Sequence, residues 1–224
     1  MTPPPKYPRV LHLDGTSAAA SDDRIASEPE YAALLSAEVV VEEKLDGMNV
    51  MLWAAGGSPQ VGTRGGADTS DRSGERGRIR AWAGARTDAV VSVLADELVV
   101  YGEWLRRRHL VPYDRLPAEF VVLDVYSLEA DAFLTPAGRD DVADRLGMVV
   151  PPRRYHGVLR TMAHVHELLG DSAYGPSRAE GIVVRTVDGS PPRVAKYVDP
   201  AWRGIGSAPW SGHNSLAAVA PAPT

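Results

Sequence analysis

The chain has 224 residues, of which 44% are hydrophobic and 24% charged, values typical of a protein that buries a core. It contains no cysteine, which excludes disulfides, thiolate zinc sites and a cysteine nucleophile. The net charge of −5 argues against a protein that coats nucleic acid by bulk positive charge, although arginines are bunched at 72–86, 106–108 and 153–154.

No apolar run approaches the roughly 20 residues that a membrane span requires. The N-terminus lacks the apolar core of a secretory signal. We therefore expect a cytoplasmic protein.

The N-terminal part predicts few regular elements. Residues 1 to about 30 are rich in Pro, Ala and Asp and predict an irregular lead-in. A short helix is expected over 28–37, with Ser27 as N-cap and Pro29 in its first turn. Strands 39–44 and 49–54 are predicted to pair as a hairpin around Asp46-Gly47.

Apolar periodicity and turn residues predict the remaining elements. In chain order these are a strand at 60–64, a loop at 65–77, a helical stretch at 78–96, strands at 98–101 and 120–126, helices at 135–146 and 161–169, and a strand pair at 181–186 and 194–198. This mixture predicts an α+β fold with mainly antiparallel sheets. We expect one domain over 1–206 and a loose C-terminal extension over 207–224.

The segment Lys44-Leu45-Asp46-Gly47 directly follows a predicted strand. Glycine allows a sharp turn, which would present the lysine to an approaching phosphate. A surface lysine before an ordinary Asp-Gly turn is the alternative interpretation.

Four further patches each place a charged or polar group at a strand end. They are Arg64, Tyr101-Gly102-Glu103-Trp104, Leu123-Asp124-Val125-Tyr126, and Glu180-Gly181-Ile182-Val183-Val184-Arg185 followed by Ala195-Lys196-Tyr197. Together they supply a nucleophile, positive charge for three phosphates and carboxylates for a divalent metal, which is the set that nucleotidyl transfer requires.

In this order the patches resemble the covalent nucleotidyltransferases, the polynucleotide ligases and RNA capping enzymes, and most of all the ATP-dependent RNA ligases. The stretch 43–49 is similar to their E-K-x-D-G-x-N segment, and 180–185 is similar to E-G-x-V-x-R. The stretch 102–117 also resembles that ligase group, and the similar segments run from about 6 to 202. The resemblance implies a ligase adenylation-domain fold with a nucleotide cleft between the sheets and helices outside.

The resemblance also implies roles in catalysis. Lys44 would attack the α-phosphate of ATP, and Glu180 would hold Mg²⁺ (or Mn²⁺). Glu103 would share the metal or bind a ribose hydroxyl. Arg64 and Lys196 would hold phosphate or ribose oxygens, with Lys196 counted in the catalytic set.

The remaining cofactor-binding candidates carry less specific roles. Glu43 would help to recognise adenine through its backbone. Asp46 would orient Lys44 or form the turn, Asn49 would bond to ribose or cap the hairpin, and Arg185 would bind phosphate or pair with a carboxylate. Leu45 lies within the same segment.

Two positions depart from the family pattern. Val194 stands where the last motif usually carries the first of two lysines, and Arg193 is a substitute. Leu123 stands where an aromatic residue often stacks on adenine, with Phe120 and Tyr126 as alternatives.

Few residues follow the last motif, which predicts a catalytic domain without the C-terminal domain of DNA ligases.

The expected partner is an RNA strand end carrying a 5′-phosphate or 3′-hydroxyl. Arg106, Arg108, His109 and Arg78 are the candidates for contact with its backbone. A small DNA nick ligase and a non-catalytic nucleotide- or RNA-binding relative are the alternatives. The residues leave open the oligomeric state and whether a separate repair protein takes part.

Overall fold

The computed structural model describes residues 4–13, 24–63, 74–189, 191–202 and 212–218. Its ten strands in this part of the chain form two five-stranded sheets, which we call the first and the second sheet. The first has the order β1-β10-β9-β2-β8, formed by Leu11–His12, Val194–Val198, Gly181–Thr186, Glu38–Lys44 and Arg153–Val158. The second has the order β4-β3-β5-β6-β7, formed by Ser58–Thr63, Met48–Ala55, Leu98–Trp104, Phe120–Ser127 and Ala132–Phe133. All pairs are antiparallel except β1 with β10, which confirms the α+β class.

Five α-helices lie within the described residues: α1 (Glu28–Ser36), α2 (Glu75–Gly84), α3 (Thr87–Leu94), α4 (Pro136–Arg145) and α5 (Met162–Glu167). Ser27 begins α1 as predicted, because its backbone N–H and hydroxyl both donate to Glu30. Thr135 caps α4 by accepting a hydrogen bond from the Gly138 amide. No helix in this part of the chain is both long and apolar enough to cross a membrane.

The helices cover the outer faces of the two sheets. Val39, Val41 and Ile182 of the first sheet pack against Leu34 of α1 and Val165 of α5. In the second sheet, the face carrying Val50, Leu52 and Val100 packs against α2, α3 and α4. Because side chains alternate along a strand, the neighbouring residues of both sheets point to the opposite faces, and these line the cleft described below.

The predicted hairpin of 39–44 with 49–54 is wrong. β2 belongs to the first sheet and β3 to the second, so residues 45–47 cross from one sheet to the other. Both edges of β2 are occupied, by β8 and β9, and both edges of β3 are occupied, by β4 and β5. Neither strand has a free edge for the other.

Several boundaries also differ from prediction. The helical stretch 78–96 is two helices, and α2 already begins at Glu75 inside the predicted loop. The basic pair Arg153-Arg154 opens a strand that the sequence did not indicate. The lead-in contains β1, which pairs with β10.

Part of the predicted tail is attached to the body of the protein. The Leu116 amide donates to the Ser215 carbonyl, and the Asn214 side chain donates to the Leu105 carbonyl at 2.7 Å. The domain boundary after residue 206 stays a prediction.

Candidate active site

A cleft of about 480 Å³ lies between the inner faces of the two sheets. The first sheet contributes Glu42, Lys44, Val183, Arg185 and Lys196 to its lining, and the second contributes Asn49, Glu103 and Leu123. The alternation along each strand places these residues opposite the core positions. One concave surface therefore collects charged groups from strands that are far apart in the chain.

Lys44 and Glu180 form an ion pair at the junction of β2 and β9. Lys44 lies opposite Gly181 in the ladder, which places residue 180 beside the end of β2. A Cβ at Gly181 would come within 2.0 Å of the Tyr197 carbonyl oxygen, so this close approach requires glycine. The side chains of Lys44 and Glu180 are 21% and 14% exposed, and Lys44 lines the cleft.

The ion pair changes both pKa values. Burial lowers the pKa of the Lys44 ammonium, but the charge and hydrogen bond of Glu180, together with the charges of Glu103 and Asp46, raise it by more, and the pKa is higher than usual. Burial raises the pKa of Glu180, and Lys44 offsets only part of this effect. Lys44 is thus held as a cation in the protein without ligands.

Glu103 is a second buried carboxyl group close to this pair. Burial raises its pKa to about 8, with repulsion from Glu180 adding to the effect and attraction to Lys44 opposing it. One ammonium thus faces two carboxyl groups that both resist ionisation, an arrangement that a bound cation would stabilise.

Glu180 and Glu103 therefore fit a hard divalent cation, because Mg²⁺ is commonly held by one or two carboxylates together with water and phosphate oxygens. Among the residues that the structure describes, no three histidine, cysteine or carboxylate side chains come together as a complete metal site.

Lys196 lines the same cleft and its positive charge acts on Glu180. The chain has only three lysines, Lys6, Lys44 and Lys196, against 21 arginines. Two of the three lie in the cleft. Arginine stays protonated in proteins, whereas lysine can lose its proton and act as a nucleophile, so the residue type fits the position.

Residues 45–47 hold the end of β2 in place. The Asp46 carboxylate accepts hydrogen bonds from the backbone amides of Leu110 and Val111 at 2.7 and 2.8 Å, and the Asp46 amide donates to the Tyr113 hydroxyl. The Gly47 amide donates to Glu103 at 3.0 Å. Asp46 therefore forms the crossing and anchors residues 110–113.

Glycine at 47 serves packing. A Cβ there would lie 2.6 Å from the Trp104 carbonyl oxygen. The chain bends at Gly47 as predicted, but φ of Gly47 is not positive, so the close approach to Trp104 is what requires glycine here.

A second charged cluster lies beside the first and joins the two sheets. Arg139 of α4 binds Glu42 through two hydrogen bonds of 2.5 and 2.9 Å. Arg185 binds Glu42 at 2.9 Å and Asp124 of the second sheet at 2.5 Å. Burial raises the pKa of Glu42, but the hydrogen bonds and charges of the two arginines lower it by more, and the result is a lowered pKa. We call these four residues the closed cluster.

Comparison with known proteins identifies the family. The RNA ligase family model matches residues 37–198, from the start of β2 to the end of β10. The chain belongs to the RNA ligase family. A comparison with curated proteins found no match.

Solved structures of Naegleria gruberi RNA ligase share the fold. A mutant with AMP and Mn matches 88% of this chain at 15% identity and a TM-score of 0.63. A mutant with ATP and Mn matches 90% at 17% identity and a TM-score of 0.64. A structure with PPi matches 89% at 18% identity and a TM-score of 0.62. The chain spans 56%, 63% and 62% of the protein chain in these three structures, which is less than two thirds of its length.

Within this RNA ligase fold, the side chains of three predicted nucleotide-binding residues bond to or pack against other residues of the protein. The Glu43 carboxylate is fully buried and accepts from Ser172, the Ala173 amide and Arg154, and the Glu43 amide donates to the Pro152 carbonyl, so neither group is open to adenine. Arg185 pairs with carboxylates, the second of its two predicted alternatives. Leu45 packs in an apolar cluster with Leu105 and Val111.

Asn49 lies at the cleft as predicted. Its side-chain nitrogen is 3.5 Å from the Gly102 carbonyl oxygen, and its Oδ1 is buried without a hydrogen-bond partner. The other predicted role, capping a hairpin, is wrong because there is no hairpin at this point.

Leu123 lines the cleft, but Phe120 does not. The Phe120 ring is 1% exposed and packs against Trp82 at 4.8 Å between centroids, on the core side of the second sheet. The prediction that Phe120 stacks on adenine is therefore wrong, because it lies on the opposite face. Tyr126 contacts Phe133 and is not part of the cleft lining.

The predicted RNA contacts lie in different places. Arg106 pairs with Glu119 at 2.7 Å, and His109 Nδ1 is 3.9 Å from Asp46 Oδ1, beside the crossing segment. Arg108 is exposed in the same loop. Arg78 lies on α2, which packs on the face of the second sheet away from the cleft. Arg64 lies outside the described residues.

The sequence interpretation missed Glu42, Arg139 and Tyr7. Glu42 shares a strand face with Lys44, two residues away, so strand alternation alone could have placed it in the cleft. No signal in the sequence indicated that Arg139 of α4 points inward, or that Tyr7 of the lead-in reaches the cleft.

Proposed function

We propose that this protein is an ATP-dependent RNA ligase that seals 5′-phosphate and 3′-hydroxyl ends through a lysyl-AMP intermediate. The observation that carries the proposal is the Lys44–Glu180 pair at the edge of a cleft that also holds Glu103 and Lys196. The similar Naegleria gruberi RNA ligase has been solved with ATP and Mn, with AMP and Mn and with PPi, which supports the same class of ligands here.

In the first step, the Lys44 Nζ attacks the α-phosphorus of ATP. A P–N bond forms, the P–O bond to the β-phosphate breaks, and pyrophosphate leaves. The ammonium must first lose a proton, because only the neutral amine has a free electron pair, and the proton passes to water at the partly exposed Lys44 side chain. Lys196 supplies positive charge for the phosphate oxygens, and the same charge lowers the pKa of Glu180 and so favours its carboxylate form.

Glu180 and Glu103 are the residues that would hold a divalent cation. When bound, the cation supplies positive charge that offsets the charge on the phosphates in the transition state. Glu103 also accepts the Gly47 amide, which keeps the crossing segment and the metal-binding carboxyl group in one fixed arrangement.

In the second step AMP passes from Lys44 to the 5′-phosphate of the RNA, and the P–N bond breaks. In the third step the 3′-hydroxyl attacks the 5′-phosphorus, a phosphodiester forms and AMP leaves. The loop with Arg106, Arg108 and His109 lies next to the crossing segment and is the proposed contact for the RNA backbone.

The test is incubation of the purified protein with α-labelled ATP and Mg²⁺, followed by denaturation. We expect label on the protein, no label on Lys44→Arg, and full label on Lys6→Arg. Arginine keeps the positive charge beside Glu180 but does not act as a nucleophile, so the fold is preserved. Equal labelling of Lys44→Arg and wild type would refute the proposal.

A second experiment tests the polynucleotide. Matched RNA and DNA nicks are incubated with the same sample. We expect sealing of the RNA nick at the higher rate, and faster sealing of the DNA nick would favour a DNA ligase. Label on the protein without sealing of either would limit the activity to adenylylation.

A further inference from the structure

This inference rests on the proposed function and concerns how the nucleobase is held. In the family that the chain resembles, an aromatic residue often stands at the place of Leu123, where it stacks on adenine. The structure removes Phe120 and Tyr126 as substitutes, since neither lines the cleft. Among the described residues that line the cleft, Tyr7 is the only aromatic one.

Tyr7 is fixed firmly although it belongs to the lead-in before β1. Its hydroxyl donates to the Asp124 carboxylate, and its ring lies 5.0 Å from the Tyr101 ring and 5.9 Å from that of Phe133. The Tyr101 hydroxyl in turn donates to the Pro5 carbonyl at 2.5 Å. Both the side chain and the backbone around Tyr7 are therefore held by the second sheet.

Asp124, which accepts the hydrogen bond from the Tyr7 hydroxyl, directly follows Leu123. The register between β5 and β6 shifts after Tyr101, so that Leu123 is an extra residue in β6. Val122 and Val125 both point into the helix-covered core, while Leu123 lines the cleft and Asp124 binds Tyr7. This β-bulge directs two consecutive side chains to the cleft side.

Apolar side chains line the cleft together with the Tyr7 ring, whose hydroxyl end meets the charges of Asp124 and Arg185. Pro8 and Val10 are the apolar side chains of the lead-in, and Leu123 adds to them from the second sheet. The guanidinium that acts on Tyr7, Arg185, is paired with Glu42 and Asp124, whereas Lys44 and Lys196 line the cleft from the first sheet. A flat apolar base fits against an aromatic ring and aliphatic neighbours.

We propose that the ring of Tyr7, held by Asp124 and Tyr101, packs against the nucleobase of the bound ATP and replaces the aromatic residue that is absent at position 123. The lead-in is then part of the nucleotide site.

The test measures equilibrium binding of two probes that do not react, α,β-methylene-ATP and tripolyphosphate. Contact between a base and an aromatic side chain is worth about 1–3 kcal/mol, or a factor of about 5 to 150 in affinity. We expect Tyr7→Leu to weaken binding of the ATP analogue by a factor in that range and to leave tripolyphosphate within about two-fold of wild type. Tyr7→Phe, which keeps the ring, should retain most of the affinity for the analogue.

Tyr126→Leu is the matched control, because Tyr126 belongs to the same aromatic cluster but lies outside the cleft lining. It should bind both probes as wild type does. Should Tyr7→Leu fail to fold, Tyr7→Met tests the same loss of the ring with a flexible side chain that fills the space.

Unchanged affinity of Tyr7→Leu for the analogue would overturn the inference, as would an equal loss for both probes. Labelling of the wild type by α-labelled ATP is measured in parallel and reports on the proposed function. If the wild type is labelled and Tyr7→Leu binds the analogue as tightly as the wild type does, the inference alone is refuted. If the wild type is not labelled, the proposed function is refuted.

Discussion

Two charged clusters lie side by side between the sheets, and they differ in how their charges are satisfied. In the closed cluster two guanidinium groups bind two carboxylates, and the lowered pKa of Glu42 shows that its charge is stabilised within the protein. In the open cluster, Lys44, Glu103 and Glu180, one ammonium faces two carboxyl groups whose pKa values are raised. We infer that the closed cluster stabilises the fold and the open one is built to receive further positive charge.

The largest expected effect tests the closed cluster. Glu42→Gln leaves Arg139 and Arg185 buried beside a neutral amide, and we expect a loss of about 3–5 kcal/mol in the free energy of unfolding. Urea denaturation measures it. A loss below about 1 kcal/mol would show that the cluster does not hold the sheets together.

A substitution in the open cluster should reduce activity and leave the stability nearly unchanged. Glu180→Gln removes the proposed metal-binding carboxylate, and we expect labelling by α-labelled ATP to slow by about 100-fold or more. The free energy of unfolding should change by less than about 1 kcal/mol, because the raised pKa of Glu180 means that the folded protein does not favour its charged form. A large loss of stability with unchanged labelling would reverse the assignment of the two clusters.

The pH dependence of stability sharpens the same comparison. The folded pKa of Glu42 is lowered, so its carboxylate contributes stability above the unfolded value near 4.5, and this contribution is lost as the pH falls through the folded pKa. The stability difference between wild type and Glu42→Gln should therefore narrow below about pH 4.5. Denaturation between pH 3 and 7 measures it, and a constant difference would contradict the lowered pKa.

The smallest effects concern the surface arginines. Arg108→Ala, next to the crossing segment, should weaken RNA binding and reduce the slope of log affinity against log salt by about 1. Arg78→Ala should change neither, because α2 lies on the other face of its sheet. Equal losses in both variants would place the RNA on a broader surface than the cleft side.

The sequence indicated most elements and the order of the motifs, because strand alternation and capping residues are local signals. Lys44, Glu180 and Lys196 come together as the motifs suggested. The pairing of the strands was harder to predict from the sequence. An Asp-Gly pair between two apolar runs is typical of a hairpin, and only the tertiary structure, in which both edges of β2 and β3 are occupied, excludes it.

The other errors have different causes. Tyr7 lines the cleft from the lead-in, and Arg139 binds Glu42 from α4, and no local pattern connects either residue with these positions. Phe120 and Leu123 are three residues apart in one strand, where strict alternation already puts them on opposite faces. The bulge at Leu123 then turns Asp124 to the cleft side as well, and a bulge leaves no reliable trace in a single sequence.

The scarcity of lysine has a practical consequence. An amine-reactive acylating reagent can modify only three side chains and the terminal amine, so peptide mass spectrometry can follow every site in one digest. Exposed Lys6 should react first, and Lys44, protonated and paired with Glu180, should react slowly. Protection of Lys44 and Lys196 by added nucleotide would then outline the bound ligand without any measurement of turnover.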